Sequence, residues 1–120
     1  MPGLRIGIDI IEVSRIQQAI ACWHGSFLER IYTEAELDGC RNITSSLAAR
    51  FAAKEAVKKA FGSDAKGLRW REIEILSNDD GVPLVQLHGR AQTRAREIGI
   101  TGFSISLSHT RQHAIAFVIG

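Results

Sequence analysis

Alternating apolar and polar positions predict five β-strands in this chain. Strands are expected over residues 4–11, 72–77, 84–88, 103–108 and 114–119. The first combines glycine with branched aliphatic residues, which is typical of a largely buried strand. The second and third flank the turn sequence Asn78-Asp79-Asp80-Gly81 and therefore predict a hairpin. The last is apolar on both faces, so we expect it to be central in a sheet or to lie at an interface.

A second set of segments has helical periodicity. Helices are expected over residues 12–20, 33–37, 46–61 and 89–98, with a short helical turn over residues 27–32. Thr33 and Glu36 have the spacing of a capping box at the start of the second helix. The third helix is the longest and is rich in alanine. The hydroxyl groups of residues 44–46 are its N-cap candidates, and Gly62 is expected to end it in the left-handed conformation.

The order of these elements predicts the fold class. The sequence β-α-α-α-β-β-α-β-β indicates an α+β domain, in which one long and several short helices pack on one face of a mainly antiparallel sheet. The chain has 120 residues, of which 45% are hydrophobic and 23% are charged. These values are those of an ordinary globular domain, so residues 1–120 are expected to form a single domain.

Composition also restricts the compartment and the partners. Asp9 interrupts the first apolar run, so a signal peptide is not expected, and no stretch approaches the roughly 20 apolar residues of a membrane span. Cys22 and Cys40 fall in no metal-binding pattern and are expected to be reduced thiols, as in a cytoplasmic protein. The net charge of +2 and the pI of about 8.8 are too mild to require nucleic acid, but they favour an acidic partner.

Charged and apolar residues are mixed on the surface of the longest predicted helix. Arg50, Lys54 and Lys58 fall on one strip beside apolar side chains, and Glu55 and Lys59 lie among alanines. A helix that is apolar nearly all round is usually buried and should not carry charge without a reason. Two interpretations are open. In the first interpretation, Glu55 and Lys59 form a solvated ion pair worth about 0.3 kcal/mol. In the second, Glu55 reaches into a site whose basic surroundings face an anion.

Asp9 is a second acidic residue in an apolar segment. Its position near the end of the first strand fits two roles, capping of the following helix or participation in a site. If the fold brings Asp9 and Glu55 together, their like charges favour a divalent cation between them. Mg2+ takes one or two carboxylates and completes its shell with water and substrate phosphate. Further phosphate charge would then be held by the basic residues of the same helix, Arg50, Lys54, Lys58 and Lys59.

Four blocks of the sequence form a recognisable series. They are residues 7–16 (GIDIIEVSRI), 50–56 (RFAAKEA), 81–83 (GVP) and 106–110 (SLSHT). In this order and at these distances they resemble the blocks of the holo-acyl-carrier-protein synthases, which are small phosphopantetheinyl transferases, and the resemblance covers essentially the whole chain. Val82 departs from the pattern, because many members have a basic residue there, so a nucleotide contact at this position is expected to be weaker or absent.

The resemblance implies a homotrimer with an active site at each subunit interface. Mg2+ would be the cofactor, held by Asp9 and Glu55, and the catalytic residues would be Asp9, Glu55 and Lys59. Arg15 would meet the acidic recognition helix of apo-acyl carrier protein. The residues bordering coenzyme A, with 108–110 supplied by a neighbouring subunit, would be Arg50, Lys58, Lys59, Gly62, Gly81, Pro83, Ser108, His109 and Thr110.

The reaction implied by the resemblance belongs to fatty acid biosynthesis. A serine hydroxyl of the carrier attacks the β-phosphate of coenzyme A, and 3',5'-ADP leaves. Charge accumulates on the phosphate oxygens, so catalysis consists mainly of positioning and electrostatic neutralisation. Mg2+ would act as Lewis acid and template, and Lys59 would add a positive charge. Either Glu55 or a metal-bound water would accept the serine proton.

Two alternative functions are also consistent with the residues. An RNA-binding α+β module would need exposed aromatic residues on its sheet, and a metal-dependent phosphohydrolase would need no acceptor protein. His109 is expected to fix its loop or to contact nucleotide rather than to act as a base. Trp23 and Trp70 are expected in the core rather than stacked on adenine, and the arginines of residues 90–96 are expected on a solvated helix face.

Overall fold

The computed structural model describes residues 3–120. Within them, five strands and four α-helices form an α+β fold, as predicted. The elements are β1 (Ile6–Glu12), α1 (Val13–Ile31), α2 (Glu34–Cys40), α3 (Thr44–Phe61), β2 (Ile73–Ser77), β3 (Pro83–Leu87), α4 (Gly89–Glu97), β4 (Ser104–His109) and β5 (His113–Ile119). Two short 3-10 turns, Gly62–Ala65 and Trp70–Glu72, lie between α3 and β2. No helix in the described range is long and apolar enough to cross a membrane.

The strands form two antiparallel sheets rather than the single sheet that was expected. One sheet has the order β1-β5-β4, and the other is the β2-β3 hairpin. Strand β5 is central, as its apolar character predicted, and pairs Ala116 with Asp9 on one side and with Leu107 on the other. Alternation along the chain locates strands and hairpins, but it does not say which distant strands pair, because that depends on long-range packing.

Helix α3 lies directly against the three-stranded sheet because small residues line the contact. Ala52 and Ala56 of α3 and Ala114 and Ala116 of β5 have no exposed surface. Gly7 of β1 makes the closest approach: a Cβ atom placed there would lie 1.7 Å from the carbonyl oxygen of Ala56. Only a residue without a side chain permits this approach, which brings β1 against the middle of α3.

The two ends of α3 differ from the sequence-based expectation. The helix begins at Thr44 and its N-cap residue, Ile43, offers no side-chain hydrogen bond, so the predicted hydroxyl cap is wrong. Gly62 has φ 65° and ψ −132°. The positive φ favours glycine, but the ψ angle does not belong to the left-handed helical region that was predicted. Instead, the guanidinium of Arg5 donates to the last carbonyls of the helix, those of Ala60 and Phe61, at 3.3 and 3.0 Å.

Helix α1 is longer than the periodicity indicated, because it runs across a kink. His24 has φ 48° and ψ −130°, which divides the helix into residues 13–23 and 25–31. Val13, Ile16 and Ile31 are buried against the core. Trp23, immediately before the kink, is 66% exposed, so the prediction that it fills the core is wrong. A kink of this kind changes which face of the following turns meets the core, and the helical period in the sequence does not reveal it.

A fully buried ion pair joins α2, α3 and β2. The ammonium of Lys54 donates to Glu36 Oε1 at 2.8 Å and to the carbonyls of Trp70 and Ile73 at 3.0 and 2.6 Å. The other oxygen of Glu36 accepts the backbone N–H of Ile75 at 2.9 Å. The hypothesis that Lys54 holds phosphate is therefore wrong. Removing one partner of such a pair typically costs about 3–5 kcal/mol, because the other charge is left buried alone.

Glu36 has a second role that the sequence did indicate. It forms the predicted capping box with Thr33, whose backbone N–H donates to Glu36 Oε1 at 2.9 Å and whose hydroxyl accepts the N–H of Glu36 at 3.2 Å. One carboxylate thus both starts α2 and neutralises the lysine buried under it.

The close approach at Gly7 yields a prediction about stability. Gly7→Ala should lower the free energy of unfolding by at least about 2 kcal/mol, since the added methyl collides with helix backbone and overpacking usually costs 1–3 kcal/mol. Urea denaturation followed by circular dichroism measures this difference. Gly102→Ala is the matched control, because a Cβ atom there has no neighbour within 4 Å. Equal stability of the two variants would show that the β1–α3 contact is looser than described.

Candidate active site

Asp9 of β1 and Lys59 of α3 form an ion pair at the surface of the three-stranded sheet. Lys59 Nζ lies 2.9 Å from Asp9 Oδ1 and 3.0 Å from the carbonyl oxygen of Ile8. The side chain of Asp9 is 15% exposed and that of Lys59 is 54% exposed. Helix α1 begins without a side-chain cap, so the capping role considered for Asp9 is wrong.

Glu55 faces the same region from one turn earlier in α3. It lines, together with Asp9 and Arg15, a pocket of about 400 Å3 whose walls include Phe27 and Phe51. Within residues 3–120, the ion pair of Lys59 is with Asp9 and not with Glu55, so the interpretation of Glu55 and Lys59 as a simple helical pair is wrong. The fold therefore brings together the two acidic residues that the sequence singled out.

The electrostatics of Glu55 reflect this convergence. Burial raises the pKa of Glu55 above its ordinary value, the carboxylate of Asp9 raises it further, and the ammonium groups of Lys58 and Lys59 oppose these effects in part. Two carboxylates in one small pocket favour either protonation or a bound cation. The pocket thus combines clustered negative charge with one adjacent ammonium group.

The donor set fits a hard divalent cation that retains most of its water. No cluster of three or more His, Cys, Asp or Glu side chains occurs in the described part of the chain. Two carboxylates are nevertheless the usual protein contribution to a Mg2+ site, because that ion keeps several waters and binds substrate phosphate. Asp9 and Glu55 are the residues that could hold it here.

Lys58 and Arg50 point away from this pocket. The ammonium of Lys58 lies 3.6 Å from the centre of the Trp70 ring, and burial lowers its pKa. The guanidinium of Arg50 donates to the carbonyl of Ile75 at 3.2 Å and to the hydroxyl of Ser77 at 3.4 Å, both in β2. The two side chains flank α3 on other sides than Glu55, as their positions around the helix require.

The glycine turn at residues 81–83 belongs to the β2-β3 hairpin. Gly81 has φ 81° and donates its N–H to the carbonyl of Asn78 at 2.9 Å. The side-chain oxygen of Asn78 accepts the N–H groups of Asp80 and Val82, each at 2.9 Å. Pro83 begins β3 directly after this turn. The turn is rigidly hydrogen-bonded, but none of its residues lines the Asp9–Glu55 pocket of the same chain.

The loop that joins β4 to β5 is held by a threonine rather than a histidine. Thr110 Oγ1 accepts the N–H groups of Gln112 and His113 at 3.2 and 3.1 Å. Ser108 and His109 are exposed and lie outside the Asp9–Glu55 pocket of their own chain. The loop-fixing role considered for His109 is thus performed by its neighbour. Gly62 is also exposed, one turn beyond Lys59.

The arginines of α4 and the ring of Trp70 lie only in part where the sequence predicted. Arg90 and Arg96 are solvated, as predicted, but Arg94 donates to the carbonyls of Asp64 and Lys66 at 2.7 and 3.2 Å and so anchors the loop after α3. Trp70 is half-buried, as a residue at the edge of the core. Its ring stacks on Phe51 with centroids 5.1 Å apart.

The outer face of the three-stranded sheet is a feature that the sequence analysis did not identify. Ile6, Ile8 and Ile10 of β1 are 56, 52 and 63% exposed, and Ile115 and Phe117 of β5 are 36 and 37% exposed. These side chains lie next to one another, because β1 and β5 pair in register. The sequence has isoleucine at every second position of β1, and the prediction that this strand is largely buried is wrong for these three side chains.

Comparison with known proteins gives a consistent result. The family model described as the 4'-phosphopantetheinyl transferase superfamily matches residues 5–118. A holo-acyl-carrier-protein synthase of Herpetosiphon aurantiacus is 50% identical over 121 residues, covering 95% of each chain. A protein of the same name from Dehalococcoides mccartyi is 52% identical over 116 residues, covering 97% of each.

Among solved structures, the holo-acyl-carrier-protein synthase of Helicobacter pylori in complex with coenzyme A superposes with a TM-score of 0.84. It is 32% identical to this chain, and the match covers 96% of this chain and 99% of the other. The likeness therefore extends over the whole fold, including both sheets and the long helix between them.

The raised pKa of Glu55 predicts a pH-dependent gain in stability for Glu55→Gln. Because its pKa is higher in the folded chain than the ordinary 4.5, ionised Glu55 disfavours the folded state at neutral pH, and glutamine removes that cost. The melting temperature of Glu55→Gln should exceed that of the unsubstituted protein at pH 7 in metal-free buffer.

The gain should vanish below about pH 4, where Glu55 is protonated in both the folded and the unfolded state. Calorimetry across this range, with Glu29→Gln as an exposed control, measures it. A lower melting temperature at pH 7, or an equal gain at all pH values, would contradict the described environment.

Proposed function

The chain belongs to the holo-acyl-carrier-protein synthases of the 4'-phosphopantetheinyl transferase superfamily, and we propose that it transfers 4'-phosphopantetheine from coenzyme A to a serine of apo-acyl carrier protein, releasing 3',5'-ADP. The observation that carries the proposal is that Asp9 and Glu55 line one pocket while the ammonium of Lys59 lies 2.9 Å from Asp9 Oδ1. The coenzyme A complex of the Helicobacter pylori relative supports the choice of donor. Fatty acid biosynthesis in the cytoplasm is the corresponding physiological setting.

Asp9 and Glu55 are the proposed metal ligands. Their clustered charge, which raises the pKa of Glu55, would be neutralised by Mg2+. When bound, Mg2+ would supply Lewis acidity and hold the diphosphate of the donor. Asp9 also forms an ion pair with the ammonium of Lys59, 2.9 Å away.

Lys59 and Glu55 are the proposed groups that act on the substrates. The ammonium of Lys59 is more than half exposed and carries a compact charge on a flexible stem. It would stabilise the negative charge that develops on the phosphate oxygens during transfer. Glu55 would accept the proton of the carrier serine, directly or through a water, because its raised pKa makes it a better base than an ordinary carboxylate.

The remaining coenzyme A contacts are proposed to form across subunits of a homotrimer. Within one chain, neither the 81–83 turn nor the 108–110 loop lines the Asp9–Glu55 pocket. The exposed apolar face of β1 and β5 supports an assembly, since large apolar surfaces of this kind usually mark an interface. A cyclic arrangement would let one subunit supply Ser108, His109 and Thr110 to the pocket of the next. Arg50, Lys58 and Gly62 would border the donor from the first subunit.

Arg15 is the proposed contact for the acidic carrier. It is exposed, lies on the first turn of α1 and lines the same pocket as Glu55. An acidic helix bound there would present its serine to the pocket. The RNA-binding alternative gains no support from the sheet, because its outer face consists mostly of isoleucine, with Phe117 as its exposed aromatic residue in the paired strands β1 and β5.

The transferase proposal predicts a mass change in the acceptor. Incubation with coenzyme A, Mg2+ and apo-acyl carrier protein should add one phosphopantetheine group to the carrier, measured by mass spectrometry. Asp9→Ala and Glu55→Gln should each lower kcat at least about 100-fold, because each removes charge stabilisation from the site. Glu29→Gln should retain activity. Release of 3',5'-ADP without any acceptor protein would instead favour a phosphohydrolase.

The role of Arg15 predicts a selective effect on the carrier. Arg15→Glu should raise the KM for the carrier about tenfold, because it reverses a steering charge, while kcat and the KM for coenzyme A stay within about twofold. Arg96→Glu, an equal charge change on the solvated face of α4, is the control. An equivalent loss of kcat in Arg15→Glu would mean that Arg15 acts in chemistry rather than in docking.

The proposed trimer predicts that one charge on the outer sheet face disrupts it. Phe117→Glu should shift the protein from trimer to monomer in light scattering coupled to size-exclusion chromatography, and transfer activity should fall with it. Ile43→Glu, at an exposed apolar position before α3, should remain trimeric. A monomeric unsubstituted protein with full activity would refute the assembly.

A further inference from the structure

A further pocket lies beside the candidate active site, and Lys58 is the one residue that it shares with those proposed to border coenzyme A. It has a volume of about 840 Å3 and lies between the last turn of α1, the last turn of α3 and the turn before β2. The residues that give it its character are Arg30, Lys58, Arg69, Trp70, Arg71 and Glu72. Four of these six side chains are cations.

The positive charge of this pocket is not neutralised from within. Arg30, Lys58, Arg69 and Arg71 form no ion pair with any residue in the range 3–120. The carboxylate of Glu72 is already used by backbone groups: it accepts the N–H of Arg69 at 2.7 Å and that of Arg90. Its charge is therefore directed at the peptide backbone rather than at the arginine side chains.

Lys58 and Arg30 lie close enough to affect each other. Burial lowers the pKa of Lys58, Glu55 raises it, and the charge of Arg30 lowers it again. Like charges held together in this way are relieved when an anion binds between them. Several cations around one concave surface match a ligand that carries several negative charges.

The aromatic wall of the pocket narrows the class of ligand. The ring of Trp70 already stacks on Phe51, with centroids 5.1 Å apart, and carries the ammonium of Lys58 at 3.6 Å. It forms a wall rather than an open platform for a nucleobase. The carboxylate groups of an acidic protein segment, which need cations and not ring stacking, fit this lining.

The pocket is also continuous with the surface that leads to Arg15. Arg30 lines a further pocket of about 300 Å3 together with Trp23 and Phe27. Phe27 in turn lines the pocket of Arg15 and Glu55. Along α1, Arg15 and Arg30 therefore lie towards opposite ends of the helix, and the exposed ring of Trp23 lies between them. This arrangement of charge and apolar surface complements an amphipathic acidic surface.

We propose that the Arg30–Lys58–Arg69–Arg71 pocket is a second docking point for the acceptor, binding an acidic segment of the carrier protein other than the one that meets Arg15. The proposal rests on the proposed function, since it concerns the same acceptor. It assigns the basic residues of the turn before β2 to partner recognition and gives them no part in the chemistry.

The test is charge reversal at the far rim of this pocket. Arg69→Glu/Arg71→Glu should raise the KM for the carrier about tenfold at low salt, with kcat and the KM for coenzyme A within about twofold. The effect should multiply with that of Arg15→Glu, because the two contacts are separate. Arg41→Glu/Arg96→Glu is the matched control, since both side chains are exposed and line none of these three pockets.

A binding measurement separates this proposal from the transferase activity. Calorimetric titration of apo-carrier without coenzyme A should show the same tenfold weakening in the double variant, whether or not the unsubstituted protein modifies the carrier. Arg69→Gln/Arg71→Gln should give an intermediate effect and serves as the test if the glutamate variant fails to fold. An unchanged carrier Kd, or a rise confined to the KM for coenzyme A, would overturn the proposal.

Discussion

The close contact between α3 and β1 is the constraint on which the rest of this structure depends. Gly7 has no side chain, and the alanines of α3 opposite it are fully buried, so the two backbones lie almost in direct contact. Residues at every second position of a strand share a face, so Asp9 faces the helix as Gly7 does. On the helix, Glu55 and Lys59 lie one turn apart on the side that meets Asp9. A larger residue at position 7 would separate the charges of the site, although it touches none of them.

The charges brought together by this contact are only partly satisfied within the chain. Lys59 neutralises Asp9, whereas Glu55 is half-buried beside another carboxylate and has a raised pKa. An arrangement of this kind costs stability, and proteins usually keep such a cost where activity requires it. The same argument applies to the neighbouring basic pocket, in which burial and the charge of Arg30 lower the pKa of Lys58 and neither side chain forms an ion pair within residues 3–120. A divalent cation bound together with a diphosphate would compensate the negative charge of the Asp9–Glu55 pocket. An acidic protein surface would compensate the positive charge of the basic pocket.

Four cations of α3 illustrate how the fold assigns different roles to similar residues. Arg50 bonds β2, Lys54 is buried against Glu36, Lys58 covers Trp70 and Lys59 pairs with Asp9. Helix α3 packs against the three-stranded sheet on one side and against the β2-β3 hairpin and the turn before it on another. The environment of a side chain therefore depends on its position around the helix axis. Lys59 is the one of the four that forms an ion pair with Asp9 in the described part of the chain. The sorting depends on what packs against each side of the helix, and similar charges at close spacing do not reveal it.

Local periodicity and short-range hydrogen bonding were enough to predict the α+β class, the order of the elements, the central position of the last strand and the capping box at Thr33. The sequence also identified Asp9 and Glu55, since a carboxylate in an apolar segment is costly without a purpose. The family blocks added the reaction class. Long-range packing divides the strands into two sheets, buries Lys54 in an ion pair and leaves Trp23 exposed. It also turns the isoleucines at alternate positions of β1 outward. Each of these depends on which distant segments pack together, and that free energy is distributed over contacts that no local pattern contains.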